Sequence, residues 1–417
     1  MKSRQLTAMI AAITLASAAA AAPSLAPKAA ARLAAGKEVR VVAFGDSITG
    51  IYYHSGSRRA WPEMLQLALR QLYPKAKTTV FNAGSSGHTT DRGLQRIQKD
   101  VLDRKPHVVV VKFGMNDLAY GKTDAATDAK RKARYAANLA NIVNQCRGVG
   151  AELILCTANS VYPESAPGRP PPRLAEFAQI VRDQAKALNV PVVDIHDRWE
   201  QIRRDDLTRW RFLMSETIHP SMAGHKCIAQ WVATAISGQE ISLVDAPPPP
   251  LTAARFVARL RAGKPVKAIV AAPLVESFRK IVVERYPKAD LTVTPWPIEG
   301  KNLAAIETWA RGNRKRTPDL VVISLPPIGL LVKDAEAYVR RAAWVVNYSL
   351  PFGPHSWTAL GVATSSWDPG ITAEQRQGEA TFAKIVAAHD LEWLAEGAPE
   401  TLLRKWLAAQ IAALPPR

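Results

Sequence analysis

A chain of 417 residues is longer than one hydrophobic core ordinarily serves, so two domains of common size are expected. Apolar residues make up 47% of it and charged residues 22%, ordinary globular usage that excludes a largely disordered chain. The 55 Lys and Arg against 36 Asp and Glu give a net charge of +19, but the excess is spread along the chain without a basic tail or a nucleic-acid motif. Nucleic acid is therefore not an expected partner; an anionic glycan or cell-envelope polymer is one reading of the basic surface, and a solvated surface without a partner is the other.

Lys2 and Arg4 precede an apolar, Ala-rich run from Leu6 to about Ala22, followed by small residues suited to cleavage. This reads as an export signal within residues 1–27, placing the mature protein in the periplasm or outside the cell; an uncleaved anchor is the alternative. No later run is long enough to span a bilayer.

From Val39 onward, short β-rich apolar runs alternate with stretches of helical period, the pattern of a parallel sheet covered on both faces. Strands are predicted at Val39 to Phe44, Thr78 to Asn82, Val108 to Phe113, Leu153 to Thr157 and Val190 to Ile195. Helices are predicted at Trp61 to Tyr73, Tyr135 to Arg147 and Gly224 to Ile236. Four consecutive prolines, Pro247 to Pro250, support neither a helix nor an inner strand and form a stiff linker. The expected organisation is a first domain over residues 37–243, a linker over 244–251 and a second domain over 252–417.

The second half repeats the first. Ala68 to Val80 aligns without gaps on Ile281 to Val293, sharing YPKA. Val39 to Phe44 resembles Val266 to Ala271, and Lys105 to Phe113 resembles Thr317 to Leu325. Cys146, Cys156 and Cys227 form no C-x-x-C or metal-spaced set, so free thiols are expected, with a Cys146 to Cys156 bridge as the alternative.

Polar residues collect where strands end. Gly45-Asp46-Ser47 follows the first strand, Asn82-Ala83-Gly84 the second and Gly114-Met115-Asn116-Asp117 the third; Glu216-Thr217-Ile218-His219-Pro220 comes after the last. Ligands of doubly wound sheets bind at that edge. Over Val39 to Ile236 this order resembles the SGNH hydrolases, also called GDSL esterases and lipases. Their four blocks contribute a serine, a glycine, an asparagine and a histidine, with an acid three residues before the histidine.

The resemblance implies a three-layer α/β fold with a doubly wound, flavodoxin-like parallel sheet, here present twice. It implies Ser47 as nucleophile, His219 as general base, and Gly84 and Asn116 in an oxyanion hole. The departure is Glu216, where the family usually has aspartate.

The chemistry asks for these types independently. A serine hydroxyl is a weak nucleophile until a neutral imidazole takes its proton, and a carboxylate on the other ring nitrogen fixes the tautomer. The developing oxyanion needs preorganised donors, each worth roughly a hundredfold to a thousandfold in rate. The backbone N–H of Ser47, that of Gly84 and the side-chain amide of Asn116 are the candidates. No Gly-x-Ser-x-Gly elbow surrounds Ser47. No cofactor or metal is implied; Asp46 and Asp117 read as braces of their loops.

Tyr52, Tyr53, His54, Arg58, Arg59 and Trp61 lie between Ser47 and the first long helix and are candidate pocket residues, suited to sugar faces or acidic groups; packing of the loop is the alternative. Pro163 to Pro172 is a second candidate rim. Trp61-Pro62-Glu63 and the Asn82 to Thr90 block are most similar to bacterial GDSL carbohydrate acetylesterases. In the repeat, Ser47 falls on Leu274, Gly84 on Pro297 and Asn116 on or near Ile328, so the second domain is expected to be inactive. The expected function is hydrolysis of short acyl esters, in particular O-acetyl groups on extracellular carbohydrate. A lysophospholipase or thioesterase of the same fold and a non-catalytic glycan-binding protein are the alternatives.

Overall fold

The computed structural model describes residues 23–118, 124–162, 168–249, 253–330, 335–354 and 356–414. Residues 1–22 of the expected signal, Pro163 to Pro167 of the expected rim, Pro250 and Leu251 of the expected linker, and Thr252 at the start of the expected second domain lie outside the described residues.

The first sheet contains β1 (Val39–Gly45), β2 (Thr78–Gly84), β3 (Val108–Lys112), β4 (Glu152–Cys156) and β5 (Val192–Val193), all parallel, in the order β2-β1-β3-β4-β5. Every residue of β3 is buried, as in a sheet covered on both faces. Helices Pro27–Ala34, Trp61–Leu72 and Met222–Ser237 pack together as one layer, and Thr90–Asp100, Ala125–Gly148 and Pro171–Ala187 as the other.

The second sheet contains β6 (Val266–Ala271), β7 (Leu291–Trp296), β8 (Leu320–Ile323), β9 (Thr358–Val362) and β10 (Trp393–Leu394). It is also parallel, and its order β10-β9-β8-β6-β7 is that of the first sheet, strand for strand. Register agrees as well. Val41 opposes Val80 and Val108 in the first sheet. The residues aligned with them by the sequence repeat, Ala268, Val293 and Leu320, oppose one another in the second. Each sheet carries its own buried apolar cluster.

The first domain begins earlier than residue 37. Ser24 Oγ donates to the Ile236 carbonyl at 2.6 Å and Leu25 N to Ala235 O at 2.7 Å. Ala29 and Leu33, on one face of helix Pro27–Ala34, are fully buried in the first core. Residues 24–27, assigned by sequence to the signal, thus belong to the folded domain, where their hydrogen bonds tie them to the last turn of the helix Met222–Ser237. The three cysteines are free and buried, so no Cys146 to Cys156 bridge forms.

The domains meet along the segment from Tyr53 to Arg59. Gly56 takes φ of +79°, and a Cβ there would stand 2.3 Å from the His389 carbonyl oxygen, so only glycine fits. Arg59 makes a two-pronged ion pair with Asp390, Nε to Oδ2 at 2.6 Å and Nη2 to Oδ1 at 2.8 Å. Arg58 Nη2 bonds Thr358 Oγ1. Further along, Ser215 Oγ donates to Asn347 Oδ1 at 2.9 Å and the Asn347 amide returns a bond to Ser215 O at 3.1 Å.

The side chains of Arg59 and Asp390 are only 16% and 3% exposed, and removing one member of a buried pair leaves the other charge uncompensated. Arg59→Ala is expected to cost about 3 kcal/mol of unfolding free energy. In scanning calorimetry the second domain should then melt ahead of the first; a transition at the wild-type midpoint would show that the pair does not join the domains.

Candidate active site

β1 ends at Gly45, and the chain turns at once. Asp46 Oδ1 accepts from the Ile48 N–H at 2.9 Å, and its carbonyl accepts from Thr49 and Gly50, both at 3.1 Å. This side-chain and backbone turn presents Ser47 beyond the carboxyl edge of the sheet. Arg96 ties the two neighbouring strand ends together, donating to Gly45 O and Ala83 O at 2.8 Å each. Asp117 accepts from the backbone of Thr90 at 2.8 Å and of Gly114 at 3.1 Å, bracing the loop after β3. Both aspartates hold loops, the role their positions suggested. Burial pushes their carboxyls up, that of Asp117 to about 6; for Asp46 the buried Lys112 opposes the rise.

The histidine arrives from far along the chain. Met214 and Pro220 form an antiparallel bridge, and Ser215 N donates to His219 O at 2.9 Å, so residues 215–219 make a tight loop. Ser221 ends it, its side chain capping the helix Met222–Ser237. Ser47 Oγ lies 2.8 Å from His219 Nε2, and His219 Nδ1 bonds Glu216 Oε1. The longer glutamate folds back on its own loop: Oε1 also accepts from His219 N at 3.1 Å and Oε2 from Ile218 N at 3.2 Å. The extra methylene is accommodated by this wrap.

Asn116 is fixed by a residue that the sequence reading did not single out. Arg169, buried in the expected second rim, donates from Nη2 to Asn116 Oδ1 at 2.9 Å and from Nε to Met115 O at 2.7 Å. The amide nitrogen therefore faces the other way, giving one hydrogen to His88 O at 3.1 Å and leaving a second for a ligand. The only sequence signal for this arginine was its place between Gly168 and Pro170 in a loop at the sheet edge.

Gly84 departs from its expected part. Its N–H donates to Asn82 Oδ1 at 3.0 Å, so that amide is occupied. A Cβ at Gly84 would stand 2.1 Å from Gly50 N, so glycine is required by the close approach of the turn after β1 to the end of β2.

The pocket residues expected in the loop divide. Trp61 is fully buried, its Nε1 donating to Thr49 Oγ1 at 3.3 Å, so it packs the core. Arg58 and Arg59 point into the second domain, so neither lines the site; burial pulls the Arg58 guanidinium down to about 10. Tyr53 does approach, its ring 6.2 Å from that of His219, and Tyr52 OH accepts from Ser86 N at 2.9 Å beside Gly84.

His54 is buried and stacks flat on His219, centroids 4.4 Å apart and planes 9° apart. The His225 ring is nearly parallel to that of His54 and meets it edge to edge, centroids 5.3 Å apart. Trp61 N donates to His225 Nδ1 at 3.1 Å, which places the His225 proton on Nε2. That nitrogen lies 3.2 Å from His54 Nδ1, so His54 carries its own proton on Nε2, facing the Ser47 carbonyl outside good bonding geometry. Spacing gave no sign of this stack, because His54, His219 and His225 meet only across the loop. Among the described residues, no group of three or more His, Cys, Asp or Glu side chains is placed to hold a metal ion.

Residues 43–227 match the model of the GDSL-like lipase/acylhydrolase family. The chain is 29% identical over 205 residues to the uncharacterized lipoprotein YqeF of Bacillus subtilis, covering 43% of this chain and 80% of that one. It is 26% identical over 194 residues to thioesterase 1/protease 1/lysophospholipase L1 of Escherichia coli, covering 46% and 81%. It is 26% identical over 167 residues to an acetylxylan esterase of Geobacillus stearothermophilus, covering 39% and 74%. The family match, like the site itself, falls within the first half of the chain, and each of these relatives covers less than half of it. Through residues 43–227 the first domain is similar to the GDSL-like lipase/acylhydrolase family.

Proposed function

We propose that the protein hydrolyses short acyl esters, in particular O-acetyl groups on carbohydrate, by a serine acyl-enzyme mechanism. The observation that carries this reading is the line Ser47 Oγ, His219 and Glu216, with 2.8 Å between the hydroxyl and the imidazole Nε2. The Ser47 hydroxyl attacks the ester carbonyl while its proton passes to His219 Nε2. Glu216 holds Nδ1–H and stabilises the imidazolium. The same proton then goes to the departing sugar oxygen, leaving an acyl-serine. Water, deprotonated by His219, attacks that acyl group and releases acetate and the free serine.

The Ser47 N–H and the second hydrogen of the Asn116 amide are the donors proposed for the oxyanion, Arg169 keeping that amide oriented. Gly84 joins them on the proposal that ligand draws its N–H away from Asn82. The acetylxylan esterase relative supports a carbohydrate ester, and the thioesterase and lysophospholipase relative supports a longer acyl group. Rates on 4-nitrophenyl esters of increasing chain length separate the two. The readings of export, of residues 1–22 as its signal, and of the second domain as a degenerate duplicate are part of the same proposal. Matched strand order and register support the last.

The histidine stack matters for pH. Burial is the largest cause that holds His54 well below the ordinary imidazole range and His225 at about 3, so both stay neutral beside the base. A histidine with a depressed folded-state pKa binds its proton in the unfolded chain first. Its contribution is therefore intact above about 6.5 and is lost as pH falls toward the folded value.

Ser47→Ala is expected to lower kcat on 4-nitrophenyl acetate by about 10⁶-fold, and Glu216→Ala by about 10⁴-fold, the order found for such groups elsewhere. Wild-type activity that survives Ser47→Ala would sink the acyl-enzyme reading. Denaturant unfolding should show wild type losing about 2–3 kcal/mol through His225 between pH 6.5 and 4.5. His225→Gln should remove that part of the slope. Equal slopes in the two proteins would mean that His225 is protonated in the fold.

A further inference from the structure

The loop that follows Ser47 is held at its tip by the second domain. Tyr53 N donates to Phe352 O at 3.2 Å, and Ser57 Oγ donates to Pro351 O at 2.8 Å. The Tyr53 ring lies under the Arg314 guanidinium, 4.5 Å from its centroid, and is stacked with Trp344 at 6.3 Å. Arg314 itself faces inward, donating to Leu350 O at 3.0 Å and Asn347 O at 2.8 Å. The wall offered to the site here is aromatic, with its cation turned away from solvent.

Phe352 joins the two sides of the site. Its ring lies 5.3 Å from Tyr52, which is fixed by Ser86 to the Gly84 side, and 6.0 Å from Tyr53, which meets His219. Phe352 is 53% exposed, while its backbone and that of Pro351 are pinned to the first domain. A half-exposed aromatic residue packed against two tyrosines, one of which meets His219, on a backbone pinned to the first domain, is a preorganised stacking face.

We infer that the second domain completes the substrate cleft, and that Phe352 is the platform on which a sugar ring neighbouring the acylated one stacks. This rests on the carbohydrate-ester reading. The apolar face of a pyranose covers the open half of the ring, while its hydroxyls stay in water. The second domain, without a nucleophile of its own at the position of Leu274, thereby acts on the reaction through substrate binding.

The test is steady-state release of acetate from acetylated xylo-oligosaccharides of one to six sugars by the full chain, with 4-nitrophenyl acetate alongside. The wild-type kcat/KM is expected to climb with sugar number. Phe352→Ala should flatten the climb, lowering the ratio of the longest to the shortest substrate by about tenfold, and Phe352→Trp should keep it. The ratio separates a lost subsite from a damaged fold, since damage lowers every substrate alike. A climb that Phe352→Ala leaves intact, an equal loss on all substrates, or no climb in wild type overturns the platform and leaves the carbohydrate reading standing. Activity on 4-nitrophenyl acetate with none on any acetylated sugar overturns both.

Discussion

The 2.8 Å contact between Ser47 Oγ and His219 Nε2 joins residues 172 positions apart, and much of the first domain can be read as the means of holding it. The serine is fixed by the Asp46 turn at the end of β1. The histidine is fixed by a five-residue loop that the Met214 to Pro220 bridge closes, with Glu216 bonded to two backbone N–H groups of that loop. Neither anchor depends on ligand. A parallel sheet brings the carboxyl ends of its strands to one edge, so Ser47, Gly84 and Asn116 are collected there by topology alone.

Around this contact the protein buries groups that would be costly if charged and keeps them neutral or braced. Asp46 and Lys112 lie in the same dry region, where burial moves each toward its uncharged form and the other opposes the move. The histidines behind His219 carry no charge that would repel its imidazolium form, and their bonding fixes their tautomers in sequence from Trp61 N. A flat neutral ring at 4.4 Å also restrains the plane of His219 without competing for either of its nitrogens. Low dielectric strengthens the Glu216 bond by the same exclusion of water.

The second domain repeats the strand order and register of the first. Its counterpart of Ser47 in the repeat, Leu274, is fully buried in the second core. What it keeps is surface. Asp390, Asn347, His389 and Phe352 all reach the loops that carry Tyr53, Arg59 and Ser215, the last adjacent to Glu216. On a single domain these loops would face water on that side; here a second folded body bonds to them.

Much was legible in the sequence because local chemistry encodes it. Buried strands read as β-rich apolar runs, Gly45-Asp46-Ser47 reads as a turn, and the repeat matches three strands whose two pairings keep the same register in both sheets. The candidate nucleophile, base and acid were named by residue type and order, and they meet. Tertiary structure decided the rest. Arg58 and Arg59 face the second domain, Trp61 fills the core, the Gly84 amide turns to Asn82, and residues 24–34 cover a helix. His54 and Arg169 gained their roles only from partners some 165 and 53 positions away. Spacing along a chain records which face of an element is apolar and where it turns; which distant side chain will fill the hydrogen bond of a buried polar group is settled only when the layers close.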